Sequence, residues 1–386
     1  MRVYLDHNST SPLRPPVREL WLTLAEEHLG NASSVHAAGR RARALVDDAR
    51  ARTAAALGVH EEEIYFTSGA TEANNLALLG VLRACGPGTS LALPSTEHSS
   101  VLGAAAAWSE GAGAQRGGPV RFLPSDTQGL PDPEALRAAV AQGVGLVSIS
   151  AANNETGAAP DLADLLRTLP GPRPRLHTDA VQALGRLPVR LAEWGVDAAT
   201  FSAHKLGGPP GVGILWRRRG LALAPLMHGG GQELGLRPGT ENVAAIAAAA
   251  LAVELAVREQ PAQAVRTGAL ARELWAELRA ALPGLRLVGP PLDSNCRLPN
   301  TLCLLLSGTD GKVLVTRLDL AGLEVSAGSA CASGSVEPSH VLLALGLARD
   351  EARSAVRLSL GWNTTREDCK RAAAIFHAEF GSLRAT

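Results

Sequence analysis

The sequence predicts an α/β fold with a mostly parallel central sheet sandwiched by helices, followed by a smaller α+β unit. Between about residues 64 and 216, short apolar runs alternate with helical stretches, which is typical of parallel sheets covered on both faces. After an alanine-rich helix that begins near Glu241, the predicted order changes to helix, strand, helix, loop, strand and helix. The 386 residues are enough for two such units.

Seven apolar runs are predicted to form the main sheet: residues 64–67, 91–94, 120–123, 145–150, 175–178, 198–201 and 212–216. Five helices are expected to follow these residues: Thr71, Ser99, Asp132, Asp161 and Leu187. In the smaller unit, strands are predicted near residues 301–306 and 356–359, and helices near residues 311–321 and from residue 365. Pro261 is expected to break or kink the alanine-rich helix, because proline lacks a backbone N–H.

Charge and composition exclude several classes of partner. The chain has 37 basic and 37 acidic residues and no basic stripe, so neither nucleic acid nor a membrane surface is expected as a partner. The amino-terminal residues lack the apolar core of a signal peptide, and the most apolar helical stretch, residues 243–253, is too short to span a bilayer. We therefore expect a cytoplasmic protein.

The five cysteines are scattered and form no CxxC pair, which indicates a reduced, cytoplasmic protein. Four of them lack any special setting: Cys85, Cys296, Cys303 and Cys369. No histidine or second cysteine lies at the spacing of zinc ligands, so no metal site is predicted.

Lysine is rare in this chain, which narrows the search for a reactive amine to Lys205, Lys312 and Lys370. Lys205 ends the run Ser202-Ala203-His204-Lys205 directly after a predicted buried strand, whereas the other two lie in more polar surroundings. Burial lowers the pKa of an amine and suits a lysine that forms Schiff bases. Lys205 is the candidate amine, against the common alternative of a solvated loop lysine.

Polar side chains also follow neighbouring strand ends, where doubly wound sheets bind ligands. Asp179 follows the run 175–178 and is suited to keep the pyridine nitrogen of pyridoxal phosphate protonated, although an aspartate there more often caps a helix. Asn153 and Asn154 either form a turn or hydrogen-bond a cofactor oxygen.

Two further strand ends add features of a cofactor site. The small residues of the segment 67–72 join a strand to a helix, where free backbone N–H groups suit a phosphate, although an ordinary helix cap explains them equally. His98, after the next strand, is placed to stack on a flat cofactor and to transfer protons, although a lone histidine is more often structural.

Residues 326–335 are small residues around a single cysteine, Cys331. Such a loop is expected to be flexible and to leave its thiol exposed, which suits a nucleophile that reaches into a site and withdraws. The alternative is a glycine- and serine-rich loop that contains a cysteine by chance.

Taken in order, these motifs closely resemble those of the NifS/IscS-type cysteine desulfurases, fold-type I pyridoxal-phosphate enzymes of the class V aminotransferase family. The matching segments cover nearly the whole chain: Tyr4-Leu5-Asp6, residues 31–36, TSGATE, TEH, NNE, HTDAVQ, SAHK, residues 229–233, 237–240, the GSAC loop, and residues 339–342 and 357–361. The resemblance implies a large PLP-binding domain of residues 15–257. It also implies a small domain of residues 1–14 and 258–386 that carries the mobile catalytic-cysteine loop.

The resemblance also implies a role for each matching residue. Lys205 would carry pyridoxal 5'-phosphate as an internal aldimine, Asp179 would pair with the pyridine nitrogen, and His98 would stack on the ring. Gln182 and Asn154 would bond the phenolic oxygen. The phosphate would be held by Ala70, Thr71, Ser202, His204 and, from a second subunit, Thr240.

The implied reaction takes sulfur from L-cysteine, leaving L-alanine and a persulfide on Cys331. Arg357, helped by Asn31, would grip the substrate carboxylate, which an arginine fork fits well. The role of Thr240 implies a homodimer, and the persulfide implies a sulfur-acceptor protein, with an iron–sulfur scaffold as one candidate. Iron–sulfur assembly members often carry a longer segment after the position of Phe380, so the acceptor stays open.

The chain departs from the family pattern at two places. Ser9-Thr10-Ser11 stands where the family usually shows Ala-Thr-Thr, and Pro210 replaces a common lysine. Neither departure is expected to touch an assigned chemical role.

Two other functions compete with sulfur transfer. One is a different pyridoxal-phosphate reaction, such as that of a selenocysteine lyase or an aminotransferase, and Cys331 argues against it because only sulfur transfer needs the loop thiol. The other is an inactive fold that serves as a binding partner or scaffold. Such a protein would be expected to lose catalytic residues, whereas Lys205, Asp179, His98 and Cys331 are all present.

Overall fold

The computed structural model describes residues 2–27, 30–111, 117–327 and 337–381. Its strands, in chain order, are β1 (Val3–Tyr4), β2 (Ile64–Thr67), β3 (Leu91–Pro94), β4 (Val120–Leu123), β5 (Leu146–Ser148), β6 (Arg175–Asp179), β7 (Ala198–Ser202), β8 (Gly213–Arg217), β9 (Leu285–Val288), β10 (Thr301–Leu306), β11 (Leu323–Glu324), β12 (Ser326–Ala327) and β13 (Ala355–Ser359).

The α-helices of the described residues are α1 (Pro15–Glu26), α2 (Ala37–Leu57), α3 (Ala70–Cys85), α4 (Ser99–Glu110), α5 (Pro133–Ala141), α6 (Leu162–Arg167), α7 (Leu191–Trp194), α8 (Val243–Ala281), α9 (Gly311–Leu320), α10 (His340–Ala344), α11 (Arg349–Arg353) and α12 (Arg366–Phe380). Short 3₁₀ turns cover Glu61–Glu63, Ala203–Leu206 and Gln232–Gly235.

The large sheet has seven strands in the order β2-β8-β7-β6-β5-β3-β4. The pairs from β7 to β4 are parallel, and β8 runs antiparallel to both of its neighbours. Strands β2, β3 and β5 are buried throughout, as expected for apolar runs covered by helices on both faces. The mostly parallel α/β fold predicted from the sequence is therefore confirmed.

Local capping explains where several helices begin. The side chain of Asp132 accepts a hydrogen bond from the backbone N–H of Glu134 at 2.8 Å, and Pro133 occupies the first turn of α5. Asp161 caps α6 in the same way, through the N–H of Asp164 at 3.0 Å. Helices were expected after both aspartates, and the structure has them there.

The small sheet is antiparallel, in the order β12-β13-β10-β9. Strand β9 was not predicted, because its LRLV sequence is short and carries a charge. The amino-terminal segment lies beside this sheet: β1 pairs in parallel with β11, and Asp6 forms a bridge with Ser359. The division of the chain into domains near residue 257 stays a prediction.

Helix α8 continues through Pro261 to Ala281, so the expected break at this proline is wrong, while the alternative of a kink stays a prediction. Proline removes one backbone hydrogen bond, but α8 packs against α1, α2 and α12, and this packing offsets the loss. Gln260, next to the proline, also donates through Nε2 to the backbone oxygen of Arg186 at 3.1 Å.

His177 lies in the middle of the large sheet, on β6. Its Nδ1 faces the hydroxyl of Ser148 on β5 at 2.9 Å, and its Nε2 faces the hydroxyl of Thr200 on β7 at 3.1 Å. Burial lowers the pKa of His177 to about 3, so the folded protein holds a neutral imidazole where the unfolded chain binds a proton below about pH 6.5.

We predict that this histidine makes the protein less stable in acid. Because the unfolded state takes up the proton first, stability is lost as the pH falls below about 6.5, at up to ~1.4 kcal/mol per pH unit from this group. His177→Gln should therefore flatten the pH dependence of the urea midpoint between pH 6.5 and 4, even if the variant is less stable at pH 7. The exposed His228→Gln is the matched control, and equal slopes for His177→Gln and the wild type would contradict the prediction.

Candidate active site

A cavity of about 410 Å³ lies at the carboxyl edge of the large sheet. Its lining includes ten of the predicted site residues: Ala70, Thr71, His98, Asn154, Asp179, Gln182, Ser202, His204, Lys205 and Arg357. Strands β3, β5, β6 and β7 end at this edge, and β13 of the small sheet brings Arg357 to it. The volume is within the ~300–1,000 Å³ that small-molecule sites occupy.

The Lys205 amine is fixed by the amino-terminal segment. Lys205 lies in the 3₁₀ turn that follows β7, and its Nζ donates to the backbone oxygens of Asn8 at 2.7 Å and Ser9 at 2.5 Å. The amine therefore lies where the large sheet, the amino-terminal segment and the cavity meet.

Asp179, the last residue of β6, is held by two donors. Its Oδ2 accepts from Nδ2 of Asn74 at 2.7 Å, and its Oδ1 accepts from the backbone N–H of Val181 at 3.0 Å. Asn74 is fully buried in α3 and also donates to the hydroxyl of Ser100 at 2.9 Å. Sequence reasoning missed Asn74, although an asparagine on the apolar face of a helix was a signal that it has a specific partner.

The turn before α3 leaves backbone donors open to the cavity. Helix α3 begins at Ala70, and its N-cap residue, Gly69, provides no side-chain cap. The backbone N–H of Ser68 donates to the Glu72 carboxylate at 2.8 Å. This carboxylate also forms an ion pair with Arg237 at 2.8 Å. The first N–H groups of α3 therefore receive no side-chain cap from residue 69, and a phosphate at this helix start stays a prediction.

His98 caps the amino-terminal end of α4 and lines the cavity. His98 Nδ1 accepts from the N–H of Ser100 at 3.1 Å, which fixes the orientation of the ring. The preceding Glu97 is buried, and its Oε1 accepts from the N–H of Ser150 at 2.7 Å. Burial raises the pKa of Glu97 to about 8, so near neutral pH this carboxyl is largely protonated.

Both residues of the asparagine pair line the cavity. Asn153 forms the turn, because its Oδ1 accepts from the N–H groups of Glu155 at 2.9 Å and Thr156 at 3.0 Å. Asn154 lines the cavity, and its backbone oxygen accepts from Nη1 of Arg357 at 3.1 Å.

Glu155 and Glu97 connect the cavity wall to α10. The hydroxyl of Ser339 donates to Oε2 of Glu155 at 2.5 Å, and Nε2 of His340 faces the backbone oxygen of Glu97 at 2.9 Å. Burial raises the pKa of Glu155 to about 7. Sequence reasoning assigned no role to either glutamate.

Two residues at the end of β7 complete this side of the cavity. Ser202 is buried at the strand end, and Nδ1 of His204 faces the hydroxyl of Thr10 at 3.1 Å. Burial lowers the pKa of His204 to about 4, with Lys205 and Arg186 adding to the effect, so its imidazole is neutral at pH 7.

Arg357 is completely buried and bound on several sides. Its Nη2 donates to Oδ1 of Asp6 and to the hydroxyl of Ser9, both at 2.7 Å. The expectation that the departure at Ser9 touches no assigned role is therefore wrong, since its hydroxyl contacts Arg357. Pro210, the other departure, also lines the cavity.

Two predicted site residues, Asn31 and Thr240, do not line this cavity. Asn31 is exposed, and its Oδ1 accepts from the N–H of Ser33 at 2.8 Å. Thr240 is exposed and lines a neighbouring cleft together with Ser68. Cys331 lies outside the described residues.

The described residues contain neither a metal-binding cluster nor a helix that could span a membrane. No group of three or more histidine, cysteine, aspartate or glutamate side chains there is arranged to hold a metal ion. No helix in the same part of the chain has the length and apolar character needed to cross a membrane.

Comparison with known proteins places the chain in a family. The Aminotransferase class-V profile matches residues 3–372. The chain is 40% identical to "Cysteine desulfurase IscS" of Dictyoglomus turgidum, over 95% of this chain and 91% of the relative. It is also 40% identical to "Cysteine desulfurase" of Cereibacter sphaeroides, over 100% of this chain and 97% of the relative.

Solved structures agree with this assignment. A "NIFS-LIKE PROTEIN" superposes with a TM-score of 0.91 at 35% identity, over 99% of this chain and 100% of that one. "SspA in complex with cysteine" superposes with a TM-score of 0.75 at 28% identity, over 93% and 98% of the two chains. The chain belongs to the class-V aminotransferase family and, within it, to the NifS/IscS-type cysteine desulfurases.

Proposed function

We propose that this chain removes sulfur from L-cysteine with the help of pyridoxal phosphate, giving L-alanine and a persulfide on Cys331. The observation that carries the proposal is one cavity that gathers an amine at Lys205, a carboxylate at Asp179 and a guanidinium at Arg357. These are the groups needed for a Schiff base, for a pyridine nitrogen and for an amino-acid carboxylate.

The described residues fit pyridoxal phosphate. The backbone N–H groups of Ala70 and Thr71 suit its phosphate. Gly213 packs directly against the turn at Gly69, because a Cβ at residue 213 would lie 2.3 Å from the carbonyl carbon of Gly69. Oε1 of Gln182 is buried without a hydrogen-bond partner among the described residues, while Nε2 donates to the backbone oxygen of Asn8 at 3.0 Å. A ligand group that donates a hydrogen bond would satisfy this orphan acceptor.

We assign the cofactor contacts accordingly. Lys205 would hold the aldehyde carbon, Asp179 the pyridine nitrogen and His98 one face of the ring, while Gln182 and Asn154 would bond the phenolic oxygen. The phosphate would be held by Ala70, Thr71, Ser202, His204 and, in a homodimer, Thr240 of the second subunit. When bound, this cofactor supplies an aldehyde for amines and a ring that accepts electrons from the substrate Cα.

The chain's own residues would then act in sequence. Arg357 binds the substrate carboxylate, and the Lys205 amine, once released, takes the Cα proton. The Cys331 thiolate attacks the substrate sulfur, so that the sulfur–carbon bond breaks as a sulfur–sulfur bond forms. The balance is L-cysteine and a thiol giving L-alanine and a persulfide, which needs no external oxidant or reductant.

Chain connectivity supports a thiol within reach of the cavity. Ser326 on β12 pairs with Arg357 on β13, and Arg357 lines the cavity. Cys331 follows Ala327 by four residues, which span at most about 14 Å when fully extended. On the other side, Ser339 is bound to Glu155 beside the same cavity.

The homodimer is supported by a strained turn and by two exposed apolar side chains, Leu234 and Val35. Leu234 has a φ of 55°, which is rare for a residue with a side chain, and 66% of its surface is exposed. The turn is held by Glu233, whose buried carboxylate accepts from Arg50 at 2.8 and 2.9 Å. Ser33 lines the same cleft as Leu234, and Val35 nearby in sequence is 88% exposed. Burial of Leu234 and Val35 by a second copy would explain why these apolar side chains are exposed in the single chain.

A sulfur-acceptor protein is the proposed partner in the cell, and an iron–sulfur scaffold is one candidate for it. A cytoplasmic location is proposed with it, because the acceptor thiol must be reduced at the start of each turnover and the described cysteines, Cys85, Cys296, Cys303 and Cys369, are free.

We predict that Cys331→Ala loses sulfur transfer but keeps the cofactor. Alanine formation from L-cysteine should fall at least ~100-fold, because the acceptor thiol is gone. The wild-type peptide that contains residue 331 should gain about 32 Da, one sulfur atom, after incubation with L-cysteine. Cys85→Ala, which changes a cysteine outside the cavity lining, is the control. Wild-type rates of alanine formation in Cys331→Ala would contradict sulfur transfer to Cys331 and would support a lyase reaction instead.

We predict that Gly213→Ala weakens cofactor binding. The added Cβ would press on the Gly69 carbonyl and displace the phosphate turn, so affinity for pyridoxal phosphate should fall about tenfold or more. The readout is the amount of yellow, borohydride-reducible cofactor that remains bound at increasing dilution. Gly103→Ala is the matched control, because a Cβ at this position in α4 meets no atom within 4 Å. Unchanged cofactor affinity in a folded Gly213→Ala protein would argue against a phosphate at this turn.

A further inference from the structure

The hydrogen bonds of Arg357 leave no free edge for a carboxylate. Nη2 has two hydrogens, and the structure uses both, one toward Oδ1 of Asp6 and one toward the hydroxyl of Ser9, each at 2.7 Å. Nη1 donates to the backbone oxygen of Asn154 at 3.1 Å, and Nε has no hydrogen-bond partner among the described residues.

The geometry of the guanidinium decides which N–H groups a substrate carboxylate can use. A carboxylate is gripped by two parallel N–H groups, either Nε–H with Nη2–H or Nη1–H with Nη2–H. Both pairs include Nη2. A substrate carboxylate that binds Arg357 through two hydrogen bonds must therefore displace Asp6, Ser9 or both.

We propose that Asp6 and Ser9 form an internal ligand of Arg357 that competes with the substrate carboxylate and thereby sets substrate affinity. The inference rests on the proposed function, since it concerns the same arginine. The Ser9 hydroxyl also donates a hydrogen bond to Oδ1 of Asp6 at 2.9 Å. Each of the three side chains is therefore hydrogen-bonded to the other two.

The exchange needs only side-chain rotation. The backbone around Asp6 is held by the small sheet, since the N–H of His7 donates to the backbone oxygen of Ser359 at 3.2 Å and the N–H of Asn8 donates to its hydroxyl at 2.9 Å. The Asp6 side chain is 18% exposed, whereas that of Arg357 is 0% exposed. Asp6 can therefore turn toward water while Arg357 stays in place.

Charge explains why such a competitor is useful. Arg357 is buried, and a buried guanidinium without a counter-ion is strongly unfavourable. Asp6 neutralises it in the absence of substrate, and an incoming carboxylate replaces one negative charge with another. An aminothiol that lacks a carboxylate cannot replace Asp6 at Arg357, so the arrangement selects for amino acids.

The test uses the holoenzyme with propionate, which has a carboxylate but neither an amine nor a thiol. Ser9→Ala, which restores the residue usual in the family, frees one Nη2 hydrogen and keeps the ion pair. We expect its dissociation constant for propionate, measured by calorimetry, to fall about 3- to 10-fold. KM for L-cysteine should fall in parallel, and kcat should change less than KM. Asp6→Asn should shift both constants in the same direction and further.

Asp319→Asn is the matched control, because it removes the carboxylate of an exposed arginine pair, Arg2–Asp319, outside the cavity lining. Its propionate affinity should equal that of the wild type. Equal or weaker propionate binding in Ser9→Ala would overturn the proposal and show that the two side chains instead orient Arg357 for substrate. If Asp6→Asn does not fold, Ser9→Ala alone decides. Because propionate binding needs no turnover, the result stands apart from the test of desulfuration with L-cysteine.

Discussion

The site depends on one short piece of chain, the amino-terminal segment 6–9. Its backbone oxygens at Asn8 and Ser9 hold the Lys205 amine, and the oxygen of Asn8 also accepts from Gln182 at 3.0 Å. Its Asp6 side chain pairs with Arg357 of the small sheet. The lysine comes from the large sheet and the arginine from the small one, so this segment fixes the distance between the amine and the guanidinium.

Two buried glutamates play a comparable part in the cavity wall. Glu97 joins the loop after β3 to Ser150, and Glu155 joins the loop after β5 to Ser339. Burial raises the pKa of both carboxyls, and it outweighs the opposing effects of Ser150 on Glu97 and of Ser339 and Arg357 on Glu155. Their hydrogen bonds hold the strand-end loops together at the expense of desolvation.

Much of this arrangement could be predicted, because it follows from strand ends. Lys205 and Asp179 come directly after continuous apolar runs, and parallel strands bring their carboxyl ends to one edge. Asn74 and Asp6 could not be found in the same way. Asn74 meets Asp179 across 105 positions and Asp6 meets Arg357 across 351, so no local spacing reveals either contact. The helix through Pro261 was missed because packing, which sequence propensity does not include, outweighed one lost hydrogen bond.

Helix α8 has 39 residues and is therefore about 58 Å long. Its first half, with Ile246 and Val253, packs in the core under the large sheet, while Leu270 and Leu274 in its second half pack in the core of the small sheet. This helix thus contributes to both hydrophobic cores. A chain cut near residue 257 would divide the helix and expose an apolar face on each fragment. The two fragments are therefore unsuited to separate expression as independent proteins.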